Sequence, residues 1–240
     1  MNKVQSQIKN IAKWIETYVK SAKLKGVTLG VSGGIDSAVV AGIVSKFTNL
    51  QTQYVFIDIG NSEIDCKCVR ELSNNLKTTI RTIDLQKEFN QLVKIFKIKN
   101  KMALANVKPR LRMTTLFALA SEKKHIVLGT SNADELYLGY FTKFGDAGCD
   151  IMPIAHLNKS EIFDIAKELK LPKSIIQRAP SASLFDNQTD EQEIGVTYKE
   201  IDAYLSGKKI SLKSKQIIER LHKINRHKLV LPLKMNNKNR

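Results

Sequence analysis

No apolar run in this chain approaches the roughly 20 residues needed to cross a bilayer. The start, Met1 to Glu16, offers no signal-peptide pattern either, because Val4, Ile8, Ile11 and Ile15 recur at the spacing of one helical face. The expected setting is therefore cytoplasmic. Cysteine is scarce: Cys66, Cys68 and Cys149 make an odd count with neither C-x-x-C nor His-rich spacing, which argues against a disulfide framework or a zinc site. They read as ordinary thiols. Acidic residues are also few, 23 against 39 basic ones, and the resulting charge of +16 would attract a polyanion. Yet no aromatic residues alternate with the lysines as on a base-stacking surface. The looser clusters at Lys97–Lys101 and Lys208–Lys215 read instead as solvated Lys- and Asn-rich surface. Internal repeats and low-complexity segments are lacking. What remains, 240 residues with 42% hydrophobic content, suits one good core, or at most two small ones.

Two familiar phosphate loops are missing as well. The chain runs Val27-Thr28-Leu29-Gly30-Val31-Ser32-Gly33-Gly34-Ile35-Asp36-Ser37, so its glycines do not fit G-x-G-x-x-G, and Ile35 stands where an ATPase loop needs lysine. The segment still reads as strand, tight turn and helix, with Ile35, Ala38, Val39, Gly42 and Ile43 on one helical face. Glycines let the backbone lie close to a ligand, and the helix start supplies N–H groups and partial positive charge. Phosphate is the expected guest. Asp36 among those donors would repel it unless a divalent cation lies between them. A Gly-rich turn with Asp36 and Ser37 as simple caps is the plainer alternative. Ser-Gly-Gly-Ile-Asp-Ser resembles the loop of the PP-loop ATP pyrophosphatases, which cut ATP between its α and β phosphates.

Further along, Gln53–Ile59, Thr78–Asp84 and His125–Gly129 have strand length and composition, and Asn61–Leu76, Leu85–Phe96 and Met102–Lys124 read as helices. In the first of these helices Ile64, Cys68, Leu72 and Leu76 form the apolar stripe, and Trp14 in the opening helix reads as a packing residue. Alternating strands and helices imply a parallel sheet with its ligand crevice at the strand carboxyl ends. Arg110 and Arg112 cannot both face the core, and they read equally well as solvent arginines. Gly129–Asp150, polar and carrying four glycines after Leu128, is a candidate binding loop. Asn158 with Glu161, and Thr197 with Glu200, have the spacing of helix-capping boxes, and Ser211–Asn225 is a further helix. Residues 173–196 read as a long irregular loop, an active-site cover or a disordered stretch.

Taken together, SGGIDS, NVKPRLRM, GTSNADE, GYFTKFGDAGCD, LNKSEI, PSASLFDNQTDE, GVTYKEID and the terminal His-Lys resemble the ammonia-dependent NAD synthetases over nearly the whole chain. The resemblance implies an α/β fold: an open parallel sheet of about five strands with helices on both faces, adenine nucleotide alpha-hydrolase-like and Rossmann-like. It implies that deamido-NAD is adenylated by ATP and then amidated by ammonia, releasing pyrophosphate and AMP. Gly30, Val31, Ser32, Gly33, Gly34, Ile35, Asp36 and Ser37 would wrap the ATP phosphates, with Thr130, Lys159 and Ser181 as further ATP contacts. Ser181 stands where the family usually has threonine. Asp36 and Glu135 would hold Mg²⁺. Arg110, Lys143, Asp150, His227 and Lys228 match the deamido-NAD positions, and Asp36, Lys143 and Lys159 are the expected catalytic residues. No adenine contact is carried over to Phe56–Asn61, and Leu229-Val230-Leu231 departs from the family's more basic, proline-containing tail.

Glutamine-dependent relatives carry an added N-terminal hydrolase domain. Here 26 residues precede the first strand, so a single synthetase domain over 1–240, with free ammonia or a separate ammonia donor, is expected. The resemblance also implies a homodimer, and neither nucleic acid nor membrane is an expected partner. A PP-loop ligase or sulfurtransferase acting on tRNA is the rival reading, which would give the +16 charge a purpose. A catalytically inert nucleotide-binding protein is another.

Overall fold

The computed structural model describes residues 2–179, 189–230 and 232. Four parallel strands form the sheet in the order β3-β2-β1-β4: β1 (Gly26–Gly30), β2 (Gln51–Asp58), β3 (Ile80–Asp84) and β4 (His125–Leu128). The expectation of about five strands is corrected to four among the described residues. Where a fifth would begin, Ile151 makes a single parallel bridge to Leu128 and no more.

Strand order places the site. From β1 the chain steps outward through α2 (Ile35–Phe47), β2 and α3 (Glu63–Leu76) to β3, then crosses back through α4 (Gln86–Phe96) and α5 (Lys101–Lys123) to lay β4 on the other side of β1. The turns after β1 and β4 therefore leave in opposite directions, opening the crevice in which such sheets bind ligands. β1 is buried on both faces: Val27, Thr28 and Leu29 are each 0% exposed. Thr28 is tolerated there because its Oγ1 lies within hydrogen-bonding distance of Gln53 and His125.

On one face α1 (Lys3–Ser21), α2 and α7 (Lys159–Glu168) bury Ile8, Ile11, Ile15, Val40, Ile43, Ile162 and Ile165. Each such side chain contributes about 1.5–3 kcal/mol by leaving water. On the other face Leu111, Leu116 and Leu119 of α5 pack on Val55, Ile57 and Ile59. A smaller cluster joins α6 (Ala133–Leu138), α9 (Asp190–Ile194), α10 (Tyr198–Leu205) and α11 (Leu212–Asn225) through Leu138, Ile194, Ile201 and Ile218.

Three expectations about packing change. Trp14 lies 47% exposed beside Tyr18, because Ile8, Ile11, Ile15 and Val19 already fill the inner stripe of α1. Ile64 is exposed too; the buried stripe of α3 is Asp65, Cys68, Val69, Leu72 and Leu76, turned by the capping box between Ser62 and Asp65. Within 173–196, the expected irregular loop, two short helices form: α8 (Lys173–Ile176), and α9 behind the capping box of Thr189 with Gln192. No described helix is long and apolar enough to cross a membrane.

Candidate active site

At the end of β1 the chain turns through Ser32-Gly33-Gly34 into α2. Gly33 has φ +87°, and a Cβ there would lie 2.9 Å from the Asp65 carbonyl oxygen, so both the conformation and the space require glycine. Ser37 Oγ donates to the Gly34 carbonyl at 3.0 Å and accepts from the Ser32 N–H at 3.2 Å, which closes the loop on itself. Gly34 is the N-cap of α2 and offers no side-chain acceptor, whereas α1, α3, α6, α7, α9 and α10 all start with capping boxes. The first-turn N–H groups of α2 are thus left for an anion in the crevice. Gly33→Ala should cost about 1–3 kcal/mol of stability or displace the loop. A melting curve and an ATP titration on the same variant check this.

The crevice is a cavity of ≈ 540 Å³. Gly30, Val31, Ser32, Gly34, Ile35, Asp36, Ser37, Thr130, Glu135 and Lys159 all line it, while Gly33 supports the turn from behind. Ser181 lies outside the described residues. At its centre Lys159 Nζ, from the first residue of α7, bonds Asp36 Oδ2 at 2.6 Å and lies 3.6 Å from Glu135 Oε1. Lys159 is 2% exposed. Burial disfavours its ammonium, but Asp36 and Glu135 outweigh that and hold it above the ordinary lysine value. Burial, then the charge of Asp36, pushes the Glu135 carboxyl up to about 8.

Two hard oxygen donors converging on one cation position are a donor set that fits Mg²⁺. That ion needs one or two protein carboxylates beside phosphate oxygens and water. No described cluster of three or more acidic, histidine or cysteine groups competes for a metal.

Asn132 ties the two acids together and, although it lies within GTSNADE, was given no role by the sequence. It is 0% exposed; its Nδ2 donates to Asp36 Oδ1 at 2.9 Å while its Oδ1 caps α6 by accepting from the Glu135 N–H at 3.0 Å. The signal was present in sequence, since Asn132 and Glu135 have the same spacing as the caps at Asn158 and Thr197. Arg112 is the inward arginine: its Nε donates to the Ile57 carbonyl and its Nη2 to Asn61 Oδ1 at the cavity wall. Arg178 also lines the cavity and pairs with the buried Asp65 at 2.6 Å. Phe56, Ile57 and Asn61 belong to the lining as well, although no contact was carried over to them.

The residues matched to deamido-NAD fall differently. Lys228 lines the cavity, with its Nζ donating to the carbonyls of Gly139 and Phe141. Arg110, Lys143 and His227 are gathered outside the lining. The Arg110 guanidinium donates to the Lys143 carbonyl at 3.3 Å, and Lys143 Nζ to the His227 carbonyl at 2.5 Å. Asp150 is exposed, and its Oδ2 accepts from the Val127 N–H at 2.6 Å, which ties the loop to β4.

The sequence profile described as NAD synthase matches residues 7–232. The chain belongs to the NAD synthase family. It is similar to the NH(3)-dependent NAD(+) synthetase of Mycoplasmopsis pulmonis, 44% identical over 225 residues that cover 93% of this chain and 88% of that one. Among solved structures of the family's fold, the NMN synthetase from Francisella tularensis superposes with a TM-score of 0.94 at 37% identity, covering 98% of this chain and 100% of that one. The NH3-dependent NAD synthetase from Campylobacter jejuni gives 0.84 at 26%, with the same coverage. These likenesses span the PP-loop turn, the cavity and the C-terminal helices alike.

Proposed function

We propose that this protein makes NAD from deamido-NAD, ATP and ammonia, in the cytoplasm. One observation carries the reading: Asp36, Glu135 and Lys159 converge beside the uncapped start of α2, at the switch point between β1 and β4. The loop from Gly30 to Ser37 holds the triphosphate, Thr130 and Ser181 add contacts, and Lys159 places a positive charge on phosphate. Asp36 and Glu135 hold Mg²⁺, which when bound neutralises charge on the phosphate oxygens. The nicotinate carboxylate attacks the α-phosphorus and pyrophosphate leaves. Ammonia then attacks the acyl carbon of the adenylate, and AMP departs. Lys228 binds the deamido-NAD end, with Arg110, Lys143, Asp150 and His227.

Those last four residues lie outside the cavity of one subunit, which supports a homodimer in which the substrate crosses between chains. The surface supports it too: α4 buries no residue, and Ile95, Phe96 and Met102 are 70%, 56% and 46% exposed. Ammonia, free or delivered by a separate protein, is the nitrogen source in this reading, which the likeness to the NH(3)-dependent NAD(+) synthetases supports.

Incubation with ATP, Mg²⁺, deamido-NAD and ammonium should yield NAD, AMP and pyrophosphate in equal amounts. Glutamine should not replace ammonium in the purified protein. Release of ADP, or turnover that needs tRNA, would overturn the reading. The likeness to the NMN synthetase favours a second one, in which the acceptor lacks the adenylate half. A higher kcat/KM for nicotinate mononucleotide than for deamido-NAD would select it.

A further inference from the structure

α10 holds the catalytic lysine at both of its ends. At the backbone end, the N–H groups of Lys159 and Ser160, the first two residues of α7, donate to Asp202 of α10 at 3.2 and 3.1 Å. Asp202 therefore spends both oxygens on a helix start that already has its own capping box, Asn158 with Glu161. Asp134 of α6 takes the Lys159 N–H as well, at 2.7 Å. At the ammonium end, Tyr198, one turn before Asp202 on the same face of α10, lays its ring 4.7 Å from Lys159 Nζ. The ring is fixed in turn: Tyr198 Oη donates to Asp190 Oδ2 at 3.0 Å, and the residue is 5% exposed. Neither Asp202 nor Tyr198 lines the cavity.

We propose that Asp202 and Tyr198 are positioning residues, a clamp through which α10 sets where the Lys159 ammonium stands relative to the nucleotide phosphates. The inference rests on the reading that Lys159 contacts ATP phosphate. A helix capped at Asn158 alone would still form, so Asp202 acts on the direction of α7 rather than on its existence. A flexible four-carbon side chain needs both ends fixed to present a point charge reproducibly. Here the backbone is fixed by two acids and the tip by a ring and two carboxylates.

The test compares Asp202→Ala with Asp202→Asn, whose side-chain oxygen still accepts one N–H. On folded protein, Asp202→Ala should lower kcat and raise KM for ATP, together at least about tenfold in kcat/KM, with KM for deamido-NAD unchanged. Asp202→Asn should restore most of the loss. A folded Asp202→Ala with wild-type kinetics, or equal losses toward both substrates, overturns the clamp, and so does failure of asparagine to rescue. Titration calorimetry with ATP and Mg²⁺ decides the matter even if the protein makes no NAD, because weaker nucleotide binding in Asp202→Ala alone supports the clamp without any acceptor. Should Asp202→Ala not fold, Tyr198→Phe and Tyr198→Leu test the other half. Phenylalanine keeps the ring and should bind ATP like wild type, leucine should bind it more weakly, and equal affinities overturn the proposal.

Discussion

Lys159→Met is expected to lower kcat on the order of 10²-fold if, as proposed, the Lys159 ammonium faces the reacting phosphates, the usual loss when such a charge is removed from an enclosed site. Its second effect is on stability. The ammonium bonds Asp36 at 2.6 Å and sits 3.6 Å from Glu135, and these carboxylates are 16% and 18% exposed. Removing one partner of so enclosed a group leaves the others uncompensated, at a cost of about 3 kcal/mol. The cost stays at the low end because Glu135 holds a proton up to about 8, which leaves Asp36 as the charge that loses its partner.

That proton gives the variant a signature. Folded Glu135 already holds its proton up to about 8, by burial and by the charge of Asp36. An unfolded glutamate releases it near about 4.3. Between these values the folded chain binds more protons than the unfolded one, so this group makes stability fall as pH rises, and loss of Lys159, whose charge favours the carboxylate, carries the fall on to higher pH. Urea denaturation at several pH values from below to above about 8, on wild type and Lys159→Met, should show a deficit that grows as pH passes about 8. A constant deficit would mean that Lys159 does not balance Glu135.

Asp36→Asn is expected to lower kcat roughly tenfold or more, because in the proposed function it removes a metal carboxylate. The structure separates this loss from unfolding. Asparagine keeps one oxygen, for Lys159 or for the Asn132 amide but not both, and Lys159 keeps its 3.6 Å ion pair with Glu135, so the contacts around the ammonium are weakened rather than broken. Relief of the Asp36 charge also lets Glu135 ionise at lower pH. Stability should therefore change far less than in Lys159→Met, while the Mg²⁺ concentration for half-maximal rate rises. An unchanged rate at saturating Mg²⁺ removes Asp36 from the chemistry.

Much of the fold was legible because its signals are local. The β-branched runs at 27–31 and 125–129, the glycine pair at 33–34 and the caps at Asn158 and Thr197 each act within one turn or strand, and the elements lie within a few residues of where they were expected. Misreadings came where several apolar residues competed for one face. Trp14 and Ile64 are as apolar as their neighbours, and only the partner helix decided which side turned inward. The same holds for Arg110 and Arg112: the pattern left both open to solvent, and the contacts with Ile57 and Asn61 turned Arg112 inward.

The site divides along the same line. Resemblance marked Asp36, Glu135 and Lys159 one by one. Asn132, Asp202 and Tyr198, which hold them, fall within GTSNADE and GVTYKEID yet were given no role there, because capping and ring contacts depend on partners far along the chain. By itself the sequence determined the phosphate turn, the helix starts and the residue types gathered at them, since each depends on neighbours a few positions away. Only the tertiary structure decided that Asp36 meets Asn132 across 96 positions and Lys159 across 123. The reason is the return of β4 to the far side of β1: that pairing is set by whole-sheet packing, and no short stretch of chain encodes it.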